Sequence, residues 1–357
     1  MPVATLAVRS LFRDYRVELV ESEDFVGELA ALPQSFVIVD ENVWRCHRDG
    51  VLRPLADADV YVLPIAEQRK VLASVEELYV AMTARAAKRN TTVISIGGGI
   101  TQDLTGFLAS TIYRGVPWIF VPTTLLAQAD SCIGSKTSLN FRQFKNLIGT
   151  LYPPERVLVY PGFVATQEEE DYFSGLGEVL KLHLIGGEEA AAVYARAAPA
   201  LTGRRPAAVR DAVWRSLEIK RAFIEEDERD TGRRRWLNFG HCFGHALESA
   251  SDFALSHGQA VVAGMILAGL VARARGRLSA ATEERLRREL LRPALVVPPD
   301  RLALDADTVI GAMRQDKKRT GPKLALVMLD DDFAMEVVDD LGEDEAREAL
   351  RELQEVL

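Results

Sequence analysis

The stretch Thr92-Val-Ile-Ser-Ile-Gly97-Gly98-Gly99-Ile-Thr-Gln-Asp103 decides the fold class. It begins with a run of mostly β-branched residues, its three glycines allow a tight turn, and a helical pattern follows. Similar runs end at residues 40, 64 and 122. Short apolar strands that alternate with helical segments are typical of a parallel α/β sheet. Because ligands of such sheets bind at the carboxyl ends of strands, we expect Asp40, Gly97 to Gly99 and Thr123-Thr124 to line one crevice.

The pattern changes in the second half of the chain. From about Asp171 onward, long segments with a 3.6-residue period are rich in Ala, Leu, Arg and Glu, for example Ala207 to Phe223 and Thr282 to Leu291. The last residues, Arg347 to Leu357, alternate charge with Leu and predict a closing helix. Proline and glycine residues between 151 and 162 mark the connection. We therefore expect an α/β domain over residues 1–165 and an all-α domain over residues 166–357.

Composition and charge exclude several classes of protein. Of 357 residues, 48% are hydrophobic and 27% are charged, with 43 Lys+Arg against 52 Asp+Glu. A globular protein has this profile, and a net charge of −9 without a basic tail argues against a nucleic-acid partner. Cys46, Cys132 and Cys242 form no CxxC pair, which favours a reducing cytoplasm. We expect neither a signal peptide nor a membrane anchor, because the sequence has no uninterrupted apolar run of about 18 residues.

A cluster of histidines is the strongest local signal of function. It lies in Asn238-Phe-Gly-His241-Cys-Phe-Gly-His245-Ala-Leu-Glu248 and Ser256-His257-Gly258-Gln259, and it holds three of the five histidines. On a helix His241 and His245 share a face, and a third imidazole after a loop suits a divalent metal. The alternative is a set of unrelated core or surface histidines.

A carboxylate is expected to complete the metal site. Glu178 is the candidate, because it lies among glycines and apolar residues, where an unpaired charge would be costly. Two imidazoles and one carboxylate suit Zn²⁺ and leave positions open for substrate oxygens. Taken alone, a glutamate such as Glu178 is more often a surface or Lys-paired helix residue, so its assignment depends on the histidines.

Two further patterns indicate anionic ligands. Gly97 to Gly99 could hold a pyrophosphate at the N-terminus of the next helix, although a plain tight turn is the alternative. Asp40 and Asn42 could bind ribose hydroxyls or simply begin a helix. Cationic and amide groups also recur in apolar or glycine-rich settings, and together they would suit a doubly anionic substrate. These groups are Arg114, Lys136, Lys145, Asn146, Lys220, Arg234, Asn238, Lys317 and Lys318.

Taken in order, these stretches resemble the dehydroquinate synthase-like sugar phosphate cyclases over nearly the whole chain. The matching stretches are Asp40-Glu-Asn-Val43, Glu67-Gln-Arg-Lys70, Gly97 to Asp103, Tyr113-Arg-Gly115, Val121 to Leu126, Asp130 to Thr137, Lys145-Asn146, Gly175-Leu-Gly-Glu178, Leu237 to Glu248, His257-Gly258 and Asp316-Lys-Lys318. The resemblance implies a Rossmann-like NAD-binding domain, a helical metal-binding domain, a site in the cleft between them, and a homodimer.

The resemblance also implies roles for individual residues. The implied ligands of Zn²⁺, or of Co²⁺, are Glu178, His241 and His257. The implied NAD contacts are Asp40, Asn42, Glu67, Lys70, Gly98, Gly99, Asp103, Thr123, Thr124, Lys136, Lys145, Phe163 and Thr166. The implied substrate shell is Asp130, Lys136, Asn146, Lys181, Lys220, Arg234, Asn238, His245, Lys317 and Lys318, with Arg114 reaching into the neighbouring subunit's site.

The family reaction turns a sugar phosphate into a carbocycle through transient oxidation by NAD⁺, phosphate elimination, re-reduction and intramolecular aldol closure. We expect 3-deoxy-D-arabino-heptulosonate 7-phosphate as substrate and 3-dehydroquinate as product, because Arg234 is suited to binding a carboxylate. His245 would shuttle a proton. The alternatives are an amino-dehydroquinate or valiolone-type cyclase of secondary metabolism that uses a substrate such as sedoheptulose 7-phosphate, a metal-dependent polyol dehydrogenase, and a catalytically inactive homologue.

Three positions depart from the usual dehydroquinate synthase pattern. Cys132 stands where Ser is common, Ser135 where Gly is common, and Gln259 where Glu normally follows His-Gly. We expect Ser135 to narrow the approach to the substrate and Gln259 to remove a carboxylate near a ligating histidine.

Overall fold

The computed structural model describes residues 2–142, 144–315 and 324–357. The chain forms two compact units, Met1–Gln167 and Glu168–Leu357. The predicted Lys317 and Lys318 lie outside the described residues.

The first unit is built on a seven-stranded sheet. Its strands are β1 (Ala4–Val8), β2 (Tyr15–Leu19), β3 (Ser35–Asp40), β4 (Val60–Leu63), β5 (Thr92–Gly97), β6 (Trp118–Pro122) and β9 (Arg156–Val159), and a separate hairpin is formed by β7 (Lys136–Phe141) and β8 (Phe144–Leu151). The strand order is β1-β2-β9-β6-β5-β3-β4, and every neighbouring pair is parallel except β1 with β2. The predicted parallel α/β sheet is therefore confirmed.

Helices and short turns connect these strands. The helices are α1 (Asp24–Ala30), α2 (Glu41–His47), α3 (Leu72–Ala84) and α4 (Gly99–Thr111), with 3₁₀ turns at Arg53–Leu55, Glu67–Arg69, Ile112–Arg114 and Pro161–Thr166 and a π turn at Ala127–Ser131. The chain leaves β3 toward the β4 edge and then returns to β5 on the other side of β3. This reversal of strand order opens a crevice at the carboxyl ends of β3 and β5, as in other open α/β sheets.

The second unit is mainly helical, as expected. Its helices are α5 (Glu169–Ile185), α6 (Glu188–Thr202), α7 (Pro206–Glu226), α8 (His241–Ala250), α9 (His257–Ala274), α10 (Ala280–Leu286), α11 (Arg292–Ala294), α12 (Pro299–Leu302), α13 (Ala306–Arg314) and α14 (Glu343–Val356). Helices α5 and α9 form its core, because most of their residues are buried. By length and composition α9 could cross a membrane, but 78% of it is buried inside the protein, as in the core helix of a globular fold.

One element of the second unit departs from the all-α expectation. An antiparallel pair, β10 (Leu324–Leu329) and β11 (Met335–Leu341), precedes the last helix. The Asp330-Asp331-Asp332 turn separates two apolar runs, and Asp330 accepts backbone N–H groups from Asp332 and Ala334, which closes the turn.

Candidate metal and nucleotide sites

The metal candidates meet because two helices of the second unit touch backbone to backbone. A Cβ on Gly258 of α9 would collide with the carbonyl oxygen of Ser174 on α5, and a Cβ on Gly177 would lie 2.5 Å from the carbonyl oxygen of Gly258. The Ser174 hydroxyl also accepts the Gly258 N–H at 2.9 Å. This contact brings Glu178, which follows Gly177, beside His257, which precedes Gly258.

A second close crossing brings α8 to the same place. A Cβ on Gly264 of α9 would collide with the carbonyl oxygen of Gly240, and Gly240 has a left-handed backbone with φ +77°. Because α8 begins at the next residue, His241 enters the space between α5 and α9. A glycine thus lies next to each predicted metal ligand.

Glu178, His241 and His257 form one compact group of possible ligands. One ligand atom from each lies within 4.8 Å of the others. The Glu178 Oε1 atom is 3.7 Å from Nε2 of His241 and 3.5 Å from Nε2 of His257, and the Glu178 side chain is only 1% exposed. Both separations are too long for a hydrogen bond, and they leave room for a metal between the three atoms.

The other nitrogen of each ring is held by a group outside this cluster. Nδ1 of His241 lies 3.1 Å from the carbonyl oxygen of Phe239, and Nδ1 of His257 lies 2.9 Å from a carboxylate oxygen of Glu248. Both partners are acceptors, so Nδ1 must carry the proton in each contact. Nε2 is then the ligating nitrogen, on the side of Glu178.

The charges of the cluster shift two pKa values strongly. Burial opposes ionisation of Glu178, but the paired Lys181 ammonium and His257 outweigh it and hold the pKa of Glu178 well below its usual value. Burial likewise works against a charged His257, but the nearby Glu178 carboxylate and the hydrogen-bonded Glu248 carboxylate raise the pKa of His257 to about 10. The cluster therefore attracts positive charge.

The residues present fit a divalent metal ion. The buried carboxylate of Glu178 is paired with Lys181 through Oε2, and its Oε1, on the side of the two histidines, makes no hydrogen bond of acceptable geometry within the described residues. A buried carboxylate oxygen in this state is costly unless a further cation shares it. Two imidazole nitrogens and one carboxylate are a frequent set of protein ligands for Zn²⁺.

Glu248 was not given a role by the sequence argument. It forms a second group of possible ligands with His245 and His257, whose rings stack at 5.9 Å. His241, His245 and Glu248 follow one another at helical spacings of four and three residues, so the spacing on one helix face could have identified it.

Three other predicted substrate residues belong to the second unit. Lys220 lies on α7 and is 8% exposed, and Arg234, in the 3₁₀ turn Arg233–Asn238, is 6% exposed. Arg234 donates to the carbonyl oxygen of Glu228 at 2.5 Å, and Asn238 donates to the carbonyl oxygen of Arg235 at 3.1 Å. Buried charges of this kind need anionic partners or dipoles.

The nucleotide candidates of the first unit lie at one edge of the sheet. Asp40 accepts backbone N–H groups from Asn42 and Val43 and so begins α2, which is the N-cap use that the sequence left open. The N–H of Thr123 donates to the carbonyl oxygen of Gly97 at 3.0 Å, and a Cβ on Gly98 would lie 3.1 Å from Thr124. Helix α4 begins after Gly98 without a side-chain cap, so its N–H groups can bind a pyrophosphate.

Four more candidates form a network around the β7–β8 hairpin. The Lys70 ammonium lies 2.5 Å from a carboxylate oxygen of Asp103 and donates to the side-chain oxygen of Asn146 at 2.6 Å. Burial raises the pKa of Asp103, against the opposing charge of Lys70 and hydrogen bonds from Ser138. Glu67 joins the network through Asn140.

The remaining predicted residues are less closely connected. Phe163 is buried against His47 with ring centroids 5.1 Å apart, and His47 reaches the Thr166 hydroxyl at 2.8 Å. Asp130 is half-buried in the π turn, Lys145 is half-buried, and Lys136 is exposed. Arg114 is exposed in a strained turn with φ +65°.

The three departures from the family pattern are all buried. Cys132 donates to the carbonyl oxygen of Gln128, and the hydroxyl of Ser135 is enclosed in the first unit rather than exposed to an approaching ligand. The amide group of Gln259 bonds backbone atoms of Phe173, Ala294 and Val296. The carboxylate that contacts His257 in the structure belongs to Glu248.

Comparison with known proteins identifies the family. Sequence models described as 3-dehydroquinate synthase N-terminal and C-terminal match residues 60–174 and 175–319. The 3-dehydroquinate synthase of Laribacter hongkongensis is 38% identical over 86% of this chain and 87% of its own length, and that of Methylococcus capsulatus is 39% identical over 83% of both chains.

Solved structures of sugar phosphate cyclases have the same fold as this chain. A 2-epi-5-epi-valiolone synthase from Streptomyces hygroscopicus subsp. jinggangensis, solved with NAD⁺ and Zn²⁺ bound, has a TM-score of 0.81, 27% identity and coverage of 98% of this chain and 99% of its own. A 2-deoxy-scyllo-inosose synthase at 22% identity and TM-score 0.83 covers 98% of this chain and 100% of its own, and shares the fold. With both halves matched in sequence and fold, the chain belongs to the 3-dehydroquinate synthase family of sugar phosphate cyclases.

Proposed function

We propose that this protein is a 3-dehydroquinate synthase that converts 3-deoxy-D-arabino-heptulosonate 7-phosphate to 3-dehydroquinate and phosphate, with NAD⁺ and Zn²⁺ or Co²⁺ as cofactors. The observation that carries the proposal is the meeting of Glu178, His241 and His257 in a chain 38% identical to 3-dehydroquinate synthases over most of its length. Residues 1–165 would bind NAD⁺, and residues 166–357 would bind the metal and much of the substrate.

The cofactors supply the redox chemistry, and the chain supplies binding and proton transfer. When bound, NAD⁺ accepts a hydride and a divalent ion polarises a substrate oxygen. Glu178, His241 and His257 would hold the ion. His245 lies on the same face of α8 as His241, and we assign proton transfer at the substrate to His245.

Arg234 is the residue that we assign to the substrate carboxylate. Its guanidinium carries five N–H donors, and among the described residues one of them donates to the carbonyl oxygen of Glu228. A planar guanidinium binds a carboxylate through two parallel hydrogen bonds, which an ammonium cannot do. Lys220 and Lys136 would bind the remaining anionic groups.

The Arg234 assignment can be tested by a matched pair of variants. Arg234→Lys keeps the charge but loses the bidentate geometry, so we expect the KM for the heptulosonate phosphate to rise at least tenfold. Arg235→Lys is the control, because Arg235 instead pairs with Asp339 at 3.0 Å on the surface. Equal KM values for the two variants would contradict the role of Arg234.

Two other functions remain as alternatives with distinct products. The valiolone synthase with 27% identity favours a secondary-metabolism cyclase as the second candidate, whose substrate would lack the carboxylate. A polyol dehydrogenase is supported by fold alone, since a probable glycerol dehydrogenase from Sinorhizobium meliloti is 15% identical with a TM-score of 0.58.

One experiment separates the three. The purified protein is incubated with NAD⁺, Zn²⁺ or Co²⁺ and a panel of heptulose phosphates, and phosphate, NADH absorbance and carbocycle mass are measured. We expect one phosphate per carbocycle from the heptulosonate, with no net NADH. Turnover of sedoheptulose 7-phosphate instead would favour the valiolone-type reaction, and stoichiometric NADH without phosphate would favour the dehydrogenase.

We also propose a cytoplasmic homodimer. Within the described residues none of the three cysteines forms a disulfide, which supports a reducing compartment. The exposed, strained turn at Arg114 supports a role for that residue in the neighbouring subunit's site.

A further inference from the structure

Asn140 lies at a break in the β7–β8 hairpin. The register shifts between Leu139 and Phe141, so the ladder passes over Asn140. Its backbone N–H donates instead to the carbonyl oxygen of Lys70 at 2.7 Å. The irregularity therefore ties the hairpin to the segment that carries Lys70.

The side chain of Asn140 holds two further candidates. Its Nδ2 donates to the Glu67 carboxylate at 2.8 Å and to the Glu67 carbonyl oxygen at 3.2 Å. Its Oδ1 accepts the backbone N–H of Asn146 at 2.9 Å. One amide thus contacts both a predicted nucleotide residue and a predicted substrate residue.

The backbone of Asn146, whose N–H Asn140 accepts, is in the left-handed region with φ +54°. That conformation costs a residue with a Cβ atom more than it costs glycine, although asparagine adopts it more readily than most other residues. In it, the side-chain oxygen of Asn146 accepts from Lys70 at 2.6 Å and from the Ser138 hydroxyl at 2.9 Å. If the Asn146 backbone relaxed, the Lys70 ammonium would lose this partner.

We propose that Asn140 is a positioning residue for the dinucleotide, which it serves by fixing Glu67, Lys70 and Asn146 in one arrangement. The proposal rests on the proposed function, in which those three residues bind NAD⁺ and substrate. The amide of Asn140 supplies the donor for Glu67 and the acceptor for Asn146 from two separate atoms, whereas a serine hydroxyl has a single, shorter-reaching oxygen for both. An aspartate would keep the acceptor and place a second negative charge against Glu67.

The test compares Asn140→Asp and Asn140→Ser with a control in the same hairpin. Thr150→Val is the matched control, because the Thr150 hydroxyl contacts Thr137 at 2.7 Å and Ser110 at 2.9 Å, away from the network. The Kd for NAD⁺ is measured by titration of the metal-loaded protein, and amide hydrogen exchange is followed over residues 66–71 and 144–148.

We expect both Asn140 variants to raise the Kd for NAD⁺ at least tenfold, Asn140→Asp more than Asn140→Ser, and to speed exchange in both segments. Thr150→Val should stay within twofold of the unmodified protein. The proposal is overturned if the Asn140 variants bind NAD⁺ as the control does, or if both fail to fold where the control is folded, since either result leaves Asn140 a purely structural residue. Failure of the unmodified protein to bind NAD⁺ would instead contradict the proposed function.

Discussion

At the scale of the residue, the chemistry of the second unit depends on one buried carboxylate. Glu178 is enclosed by Lys181, His241 and His257, and its own exposure is 1%. Lys181 is positively charged, and the two imidazoles can bind a proton or a metal ion. The negative charge of Glu178 therefore balances the positive charge of the cluster. Removing its charge breaks the buried ion pair between Glu178 and Lys181.

Glu178→Gln should therefore lose both metal and stability. We expect metal affinity to fall more than tenfold and the free energy of unfolding to fall by about 3 kcal/mol, since breaking a buried ion pair has a cost of that order. Metal content after gel filtration and urea unfolding measure the two effects. His245→Ala is the comparison, in which we expect the metal to be retained and turnover to slow; a fully metallated Glu178→Gln would contradict the ligand assignment.

A second residue-scale prediction concerns Gln259, which is 1% exposed. Its Nε2 donates to the carbonyl oxygens of Phe173 and Ala294, both at 3.0 Å. In Gln259→Glu an oxygen faces those two acceptors, so we expect a loss of about 2–4 kcal/mol in the free energy of unfolding.

The loss should be smaller at pH 5 than at pH 8. A buried carboxyl facing acceptors has a raised folded-state pKa, so its destabilising effect is relieved as it takes up a proton at low pH. Urea unfolding at the two pH values measures this. Gln354→Glu is the control, because Gln354 is exposed and its side-chain amide donates to the carbonyl oxygen of Leu302; equal losses in the two variants would refute the argument.

At the scale of the element, the site depends on how closely α5, α8 and α9 approach. Glycines at the crossings allow backbone contact, and the ligands are their sequence neighbours. The spacing between the helices therefore controls the ligand geometry, and a single methyl group at the α5–α9 crossing is enough to change it.

Gly258→Ala should separate α5 from α9, because the new Cβ would collide with Ser174. We expect a loss of about 3 kcal/mol or more in the free energy of unfolding and weaker metal binding. Gly269→Ala lies on the same helix, where a Cβ would meet Glu283 at an ordinary 3.9 Å. That control should be neutral or more stable by up to about 1 kcal/mol, and similar thermal midpoints for the two variants would contradict the close-contact argument.

At the scale of the whole molecule, the two units carry different chemistry. The candidate nucleotide residues lie in Met1–Gln167 and the candidate metal ligands in Glu168–Leu357.

The stability of the second unit also depends on pH, because α5 carries a buried histidine outside the metal cluster. His183 is 1% exposed, and its Nδ1 lies 2.8 Å from the carbonyl oxygen of Val179.

Burial lowers the pKa of His183 from 6.5 to about 4. Between these values the unfolded chain binds the proton and the folded chain does not, so stability falls as the pH drops from 6.5 to 4 and is unaffected by this group above 6.5. The difference amounts to about 3 kcal/mol. We expect His183→Leu, measured by urea unfolding of the metal-loaded protein at pH 5 and pH 7.5, to have a flatter dependence than the unmodified chain; parallel curves would exclude His183 as the cause.

The sequence predicted those parts of the molecule whose signal is local. The runs that end at Asp40, Gly97 and Pro122 became β3, β5 and β6, and the segment Ala207 to Phe223 became part of α7. Hydrophobic periodicity identifies such elements, because a strand or helix exposes its pattern within its own residues. The resemblance to a family added the ligand set, of which Glu178, His241 and His257 meet in the structure.

Other features followed only from contacts between distant residues. The sequence did not predict the β7–β8 and β10–β11 strand pairs. It also did not predict the contact of the Glu248 carboxylate with His257 or the hydrogen bonds of the Gln259 amide with backbone atoms. Each depends on which atoms face one another after packing. By itself the sequence determined the fold class and the order of the elements, because these follow from local periodicity; the tertiary structure decided the partners of each polar group, because hydrogen bonds and ion pairs act only between atoms that folding has brought within about 3–4 Å.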